Sequence, residues 1–188
     1  MLACFVLLTA GCIAPAARIV DADGARSVGV AIRPSPGKGL GAFTTVARDA
    51  GELVGDYVGE IFDGRAKDAR YLGIGELTAE DHEWISSRKA RGISINGHYI
   101  VNVGMDTYID AEDPTHANWC RYINHSSRPN VALKTLPRGM DGRPRAWFVT
   151  LRVCAPGDEL CFDYGPEFWL DEAPVEDMAT IPLKTSFD

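Results

Sequence analysis

The sequence has few of the features that mark metal sites or disulfide scaffolds. Its five cysteines are scattered, with no C-x-x-C pair and no cysteine–histidine spacing of the zinc type: Cys4, Cys12, Cys120, Cys154 and Cys161. An odd, scattered set in a chain of 188 residues argues against a disulfide framework. The last three lie in apolar runs, where a free thiol usually serves as a small buried hydrophobe. We therefore predict no metal site.

Basic residues are also fewer than acidic ones. The chain carries 26 acidic and 19 basic residues, for a net charge of −7. A nucleic-acid-binding domain ordinarily presents a basic face, so we expect no direct binding to DNA or RNA. Towards the C-terminus a single base, Lys184, accompanies a run of acidic residues: Glu167, Asp171, Glu172, Glu176, Asp177 and Asp188. We interpret residues 170–188 as a solvated acidic tail, with attraction of a basic peptide as the alternative.

The apolar run at the N-terminus, residues 2–17, is too short for a comfortable membrane span, which needs roughly 20 residues. It fits the hydrophobic region of a secretory signal with an A-x-A site at residues 14–16, but no lysine or arginine precedes it. We treat residues 1–20 as an apolar leader outside the fold and expect no membrane association unless it is retained. A nuclear or cytosolic location is favoured, and a secretory or organellar one stays open if residues 1–17 act as a signal.

Long helical periodicity is scarce, whereas glycine and proline are abundant. Nineteen glycines and 11 prolines separate short β-rich segments, which predicts a mostly β fold with minor helices. Strands are expected at residues 27–35, 52–62, 107–111, 131–136, 145–154 and 159–165, with a hairpin turn at Asn96-Gly97. Helices are expected only within residues 63–92, where Thr78 and Asp81 form an N-terminal capping pair. The folded domain is expected to span residues 26–169.

A glycine-rich segment, GKGLGAF at residues 37–43, invites comparison with phosphate-binding loops. Such a loop needs a helix directly after it, so that backbone amides and the helix dipole converge on the anion. The residues that follow, with Gly51 and several β-branched side chains, disfavour a helix, and the Walker spacing is absent. Glycines within β structure instead let a ligand approach the backbone closely, although a plain tight turn is the simpler interpretation.

A second segment, ELCFDYG at residues 159–165, contains a candidate functional residue, Tyr164, near its end. Leu160, Phe162 and Tyr164 fall on one face of a strand because side chains alternate with a period of two. Tyr164 precedes Gly165 at the strand end, so its hydroxyl is positioned to project into a cleft. A phenol with a pKa near ~10 is a poor base at neutral pH but a good hydrogen-bond partner. Taken alone, a core tyrosine is the plainer interpretation.

A third segment, RYINHSSRPN at residues 121–130, places an amide, an imidazole and a hydroxyl side by side. The apolar pair Tyr122 and Ile123 precedes Asn124, His125 and Ser126, so the polar groups stand where the chain enters its core. Buried amides and imidazoles must be hydrogen-bonded, and several together indicate a network or a polar ligand.

Together these segments resemble the SET-domain family of protein-lysine methyltransferases. The resemblance covers about residues 28–169 and also includes GDYVGE at residues 55–60 and YIDA at residues 108–111. Each piece is weak by itself, whereas five pieces in this order and spacing are specific. The resemblance implies a SET-domain (β-clip) fold of short sheets with a C-terminal pseudoknot, in which the NHS and FDY segments thread past each other.

The resemblance also implies roles for individual residues. S-adenosylmethionine would be bound by Lys38, Gly39, Leu40, Gly41, Asn124, His125 and Tyr164. Tyr164 would be the catalytic tyrosine, with Tyr57 as a supporting contact, and Phe162, Phe168 and Trp169 would line the substrate channel. This chain has Ser127 where many members have cysteine, and no cysteine-rich segment follows Tyr164. We therefore expect Phe168 and Trp169, rather than a zinc site, to close the channel; packing against the sheet is their alternative role.

The activity implied by the resemblance is S-adenosylmethionine-dependent N-methylation of a lysine in a protein or peptide. A histone tail is the first expectation for the substrate. Phe162 stands two residues before the predicted catalytic tyrosine, where phenylalanine in the family tends to permit di- or trimethylation. The alternative is a catalytically inactive SET fold that binds a peptide or partner protein.

Overall fold

The computed structural model describes residues 19–169, apart from the side chains of Glu167 and Trp169, and this region is dominated by short strands. The predicted leader and acidic tail therefore lie almost wholly outside the described residues. In chain order the strands are β1 (Val30–Ser35), β2 (Gly39–Thr44), β3 (Leu53–Asp56), β4 (Glu60–Asp63), β5 (Ile100–Gly104), β6 (Thr107–Asp110), β7 (Asn124–His125), β8 (Val131–Leu136), β9 (Arg145–Thr150) and β10 (Cys161–Phe162).

The helices are few and mostly short. They are α1 (Ala22–Ser27), α2 (Gly64–Lys67), a π-helical turn (Asp68–Leu72), α3 (Ala79–Ala90) and two 3₁₀ turns (Trp119–Tyr122 and Pro166–Trp169). Within residues 19–169, no helix combines the length and apolar character needed to cross a membrane. The prediction of a mostly β fold with minor helices is confirmed.

The strands form four small sheets. Strands β1 and β2 make an antiparallel hairpin, and β9 lies between β3 and β8 in a three-stranded antiparallel sheet. A second three-stranded sheet has β6 between β4 and β5. The fourth sheet is a parallel pair, β7 with β10, formed by segments distant in sequence. The predicted pairing of residues 131–136 with 145–154 is confirmed over β8 and β9.

Helix α3 begins where the sequence predicted a helix start. The Thr78 side chain accepts a hydrogen bond from the Asp81 amide, and the Asp81 carboxylate accepts one from the Thr78 amide, which completes a capping box. The carboxylate of Asp81 is fully buried and also accepts hydrogen bonds from Arg65 (2.7 Å) and Arg70 (2.6 Å). At the other end Arg88, itself buried, pairs with Asp110 of β6 (2.6 Å). Ion pairs at both ends therefore fix α3 to the rest of the domain.

Two local predictions were wrong. Residues before Val30 do not extend the first strand: α1 occupies Ala22–Ser27, and its Ala25 is buried against the core. The predicted turn at Asn96-Gly97 does not join two strands, because no strand precedes β5 there. The hairpin turn lies instead at Met105 and Asp106, which connect β5 to β6 and both have positive φ (50° and 56°). Two consecutive residues with positive φ are characteristic of a tight two-residue hairpin turn.

The core lies between the sheets and beneath the β7–β10 pair. Its fully buried members include Phe148 of β9, Val131 of β8, Val30 of β1, Ile123 and Leu160. Ile123 and Leu160 immediately precede β7 and β10, so both segments of the parallel pair are anchored in the same hydrophobic core. Cys120, Cys154 and Cys161 are buried, as predicted.

Candidate active site

The parallel pairing of β7 and β10 brings two distant motifs together. Asn124 lies opposite Cys161, and His125 lies opposite Phe162. Asn130 strengthens the crossing, because its side-chain oxygen accepts a hydrogen bond from the Cys161 amide (2.8 Å) and its side-chain nitrogen donates one to the Glu159 carbonyl (2.7 Å). The NHS and FDY segments therefore cross in space, as the resemblance implied.

Asn124 joins this crossing to the glycine-rich strand β2. Its side-chain nitrogen donates hydrogen bonds to the Leu40 carbonyl (3.1 Å) and to the Glu159 carboxylate (2.8 Å). A Cβ atom on Gly41 would overlap the Glu159 carboxylate and lie 3.0 Å from the side-chain nitrogen of Asn124. Glycine at this position thus allows the close approach of β2 to Asn124.

A cavity of about 330 Å³, here called the small cavity, opens beside this junction. Its walls include Lys38, Gly39, Leu40 and Asn124, four of the residues predicted to bind the cofactor. The Lys38 ammonium donates a hydrogen bond to the His125 carbonyl (2.9 Å), which ties the β1–β2 turn to β7.

A cavity of about 690 Å³, here called the large cavity, also has Tyr164 in its wall. It runs between the edge strands of two sheets, β5 and β8, which contribute Val101, Asn102, Val131 and Leu133. Its walls combine apolar and polar groups and include Phe162 of the predicted channel. A groove between two edge strands exposes backbone groups that can pair with an extended peptide.

The two cavities share one wall. Five residues line both of them: His98, Tyr99, Arg121, Tyr164 and Phe168. The predictions named Tyr164 and Phe168 but missed the other three. His98 and Tyr99 are an aromatic pair directly after Gly97, and Arg121 is the first residue of the segment RYINHSSRPN. No local sequence pattern indicates that these three residues contact the same cavities as Tyr164.

Tyr164 is the central member of the shared wall. Its ring packs against Phe168 (4.6 Å between centroids), Phe162 (4.7 Å) and His125 (5.4 Å), and its hydroxyl donates a hydrogen bond to the Ile123 carbonyl (3.3 Å). Burial raises the pKa of this hydroxyl above its ordinary value, and the nearby Tyr99 raises it further. The phenol therefore stays protonated at neutral pH and acts as a hydrogen-bonding group rather than as a base.

His125 supports Tyr164 through the backbone. Its Nδ1 accepts a hydrogen bond from the Tyr164 amide (3.2 Å), which requires Nδ1 to be unprotonated. The Asp163 carboxylate lies 3.8 Å from the same nitrogen, beyond hydrogen-bond reach, so we assign Nδ1 as the acceptor for the amide.

Tyr57 lies deeper than Tyr164 on the side of the large cavity. It is buried, and its hydroxyl donates a hydrogen bond to the Tyr99 carbonyl (2.8 Å). Burial raises the pKa of Tyr57 well above its ordinary value, and the proximity of Tyr164 adds to the rise. Tyr57 thus fixes the backbone of Tyr99 at the shared wall. Trp169, predicted as a channel wall, has its side chain outside the described residues.

Arg121 gives the small cavity a fixed positive charge. Its guanidinium stacks on the Tyr99 ring (4.1 Å) and donates to the Glu112 carbonyl (3.2 Å). Its Nε is buried and has no hydrogen-bond partner among residues 19–169. A buried donor without a partner is costly, which makes this nitrogen a locally unfavourable feature of the wall.

A group of three potential metal ligands lies elsewhere, on Glu60, Asp113 and His116, whose ligand atoms are within 4.8 Å of one another. Arginines already compensate this group: Arg88 pairs with Glu60, and Arg91 pairs with Asp113 (2.6 Å). The arginine partners leave little negative charge for a divalent cation, so these residues are better explained as an ion-pair cluster.

Comparison with known proteins assigns the arrangement to a family. A sequence model of the SET domain matches residues 39–165, which include the β2 glycines, both crossing segments and Tyr164. The chain belongs to the SET-domain family. The predicted SET fold is thereby confirmed, and the polar groups at the crossing belong to a SET domain.

Relatives of this SET domain are named as histone-lysine methyltransferases. Histone-lysine N-methyltransferase ASHH3 of Arabidopsis thaliana is 32% identical over 67% of this chain, and mes-4 of Caenorhabditis elegans is 31% identical over 68%. Histone-lysine N-methyltransferase set-2 of C. elegans is 28% identical over 75%. The aligned region spans 29%, 13% and 7% of those three proteins, respectively, so the similarity concerns the SET domain and not their full lengths.

Proposed function

We propose that this SET domain is an S-adenosylmethionine-dependent protein-lysine N-methyltransferase. The observation that carries the proposal is the pair of cavities that share Tyr164 in a common wall. Methyl transfer between a bulky donor and a protein side chain needs two binding sites that meet at one point, because the reacting atoms must come within about 3–3.5 Å.

The small cavity suits the methyl donor. Lys38 and Arg121 line this cavity and would supply positive charge for a carboxylate. Gly39, with φ of 77° and open space where a Cβ would stand, lets a ligand approach the β2 backbone. These residues, together with Leu40, Asn124 and the structural support of Gly41 and His125, would hold S-adenosylmethionine. The bound donor supplies an electrophilic methyl group on a sulfonium.

The large cavity suits an extended peptide that inserts a lysine towards Tyr164. The lysine stem would lie against Phe162 and Phe168, whose rings bracket Tyr164. Transfer of the ammonium group into this apolar passage disfavours its charged form and promotes loss of a proton to solvent. The bound donor would supply its methyl group to this neutral amine, which Phe162, Phe168 and Tyr164 would hold in place. The nitrogen–carbon bond would form as the donor's sulfur–carbon bond breaks, leaving a neutral thioether and a protonated methylamine.

Tyr164 would orient the amine and not remove its proton. Its raised pKa keeps the hydroxyl protonated, so the oxygen offers a lone pair to the substrate while its hydrogen remains on the Ile123 carbonyl. Tyr57 would position this centre indirectly, through the Tyr99 backbone. Fixed dipoles of this kind stabilise developing charge without reorganising during the reaction. No general base and no metal enters this mechanism.

The product is proposed to extend beyond monomethyl-lysine. Phe162 packs against Phe148 (5.0 Å) and Tyr164 (4.7 Å) and offers no hydroxyl to hold the amine in a single orientation. An amine that can rotate after the first transfer can present its lone pair again. A protein lysine is the proposed substrate, and a histone tail is the first candidate because the relatives are named for histone lysines.

The test is methyl transfer from labelled S-adenosylmethionine onto core histones, a lysine-peptide array and lysate proteins. We expect wild-type transfer to a lysine and a loss of about 100-fold or more in Tyr164→Phe, because removal of one preorganised polar group typically costs 10²–10³-fold in rate. Phenylalanine keeps the ring contacts, so the melting temperature serves as the folding control. Donor binding without any transfer by the wild type would instead indicate an inactive peptide-binding SET fold.

A further inference from the structure

His98 occupies an unusual place at the boundary of the two cavities. It is exposed to solvent, lines both cavities, and its ring packs against Phe168 of the C-terminal 3₁₀ turn (6.1 Å between centroids). Its Nδ1 lies 3.1 Å from the side-chain nitrogen of Asn96. An imidazole at this point can add or remove one positive charge beside whatever occupies the small cavity.

The charges around His98 come from several elements. The charged groups that line the same cavities are Lys38 in the β1–β2 turn, Lys67 in α2, Arg121 in the first 3₁₀ turn and Asp163 after β10. The tyrosines that line them are Tyr57, Tyr99, Tyr108, Tyr122 and Tyr164. His125 in β7 is outside both linings and contacts the Tyr164 ring (5.4 Å between centroids). Glu112, which is buried, interacts electrostatically with His98 and has its pKa raised by burial. His98 is the solvent-exposed histidine that lines both cavities.

The proposed reaction changes the charge in the small cavity by one unit. The donor carries a sulfonium cation, and the product, S-adenosylhomocysteine, has a neutral thioether at the same atom. The two ligands share their adenosine and amino-acid parts, so contacts to those parts contribute equally to both affinities. A nearby positive charge therefore weakens binding of the donor while leaving the product nearly unaffected.

We propose that His98 is a specificity-determining residue of the small cavity: in its protonated form it discriminates against the cationic donor and in favour of the neutral product. This inference rests on the proposed function, because it assumes that the small cavity binds S-adenosylmethionine. It predicts stronger product inhibition as the pH falls. Because His98 is exposed and solvent screens its charge, the expected discrimination is about fivefold in the ratio of dissociation constants.

Isothermal titration calorimetry on the full chain tests this directly. The dissociation constants of S-adenosylmethionine and S-adenosylhomocysteine are measured at pH 8.0 and pH 5.5, a window in which imidazoles ordinarily gain their charge. The variants are His98→Gln, which cannot become charged, and His82→Gln as a matched control. His82 is an exposed histidine of α3 outside both cavity linings. Melting temperatures at both pH values confirm folding.

We expect the donor-to-product ratio of dissociation constants to rise about fivefold between pH 8.0 and pH 5.5 in the wild type and in His82→Gln, and less than twofold in His98→Gln. A wild-type ratio that is constant with pH, or an equal rise in His98→Gln, would overturn the inference while leaving the proposed function intact. Absence of binding by both ligands at pH 8.0 would overturn the proposed function and this inference together.

Discussion

Replacement of Asn124 by aspartate changes one amide nitrogen to oxygen at the point where three segments meet. The wild-type nitrogen donates to the Leu40 carbonyl and the Glu159 carboxylate, and the variant can donate to neither. It also places a second carboxylate beside Glu159. The variant loses one neutral and one charge-assisted hydrogen bond, and each loss costs about 1–3 kcal/mol. Because the two bonds share one nitrogen, their losses do not add fully, and we expect the free energy of unfolding to fall by about 3 kcal/mol.

The assay is thermal unfolding at two pH values. About 3 kcal/mol in a domain of this size lowers the melting temperature by roughly 6–12 °C at pH 8. Repulsion between the two carboxylates raises a folded-state pKa above its unfolded value, so proton binding stabilises the folded variant. The deficit relative to wild type is therefore expected to shrink by half or more at pH 4.5.

The matched control is Asn102→Asp. Asn102 is exposed, and its side-chain oxygen accepts a hydrogen bond from the Gly104 amide (2.8 Å), which aspartate preserves. We expect its melting temperature to stay within about 2 °C of wild type, as is usual for surface substitutions. An Asn124→Asp protein that matched this control at pH 8, or whose deficit did not change with pH, would refute the assignment of Asn124 as the junction of β2, β7 and the Glu159 segment.

Three further substitutions probe the channel, the helix anchor and the glycine strand. Phe162→Tyr is expected to shift the product towards monomethyl-lysine in mass spectra, because a hydroxyl would orient the amine; an unchanged product distribution would contradict the proposal. Asp81→Asn is expected to reduce the free energy of unfolding by about 3 kcal/mol, because the buried carboxylate binds two arginines and caps α3. This loss would lower the melting temperature by roughly 6–12 °C, and wild-type stability would show that these ion pairs contribute little. Gly41→Ala is expected to weaken S-adenosylhomocysteine binding about tenfold or more in calorimetry, because its Cβ would push Asn124 and Glu159 aside; unchanged affinity would argue against the close approach of β2.

The parts of the fold that the sequence predicted well are those with local causes. The start of α3 followed from the Thr78–Asp81 capping pair, and the β8–β9 pairing followed from two β-rich segments separated by turn residues. The hairpin was misplaced because Asn96-Gly97 has strong turn chemistry but no partner strand before it. The true turn uses Met105 and Asp106, whose positive φ the composition does not reveal.

The parts of the site that escaped prediction depend on contacts across the fold. Glu159 binds Asn124 from 35 residues away. His98, Tyr99 and Arg121 share cavity walls with Tyr164 only in the folded chain. Side chains with no motif of their own acquire a role only when topology brings them to a shared wall. Motif order found the β7–β10 crossing, and the three-dimensional packing supplied the residues around it.

The proposed function requires the donor and the substrate lysine to occupy the small and the large cavity, respectively, and to meet at Tyr164. A crystal structure with S-adenosylhomocysteine and a lysine peptide selected from the methylation array tests this arrangement. We expect the thioether in the small cavity near Gly39 and Asn124, the peptide along the groove between β5 and β8, and the lysine amine within hydrogen-bond reach of the Tyr164 hydroxyl. Binding of both ligands on one side of Tyr164, or of the peptide on another face of the domain, would contradict it.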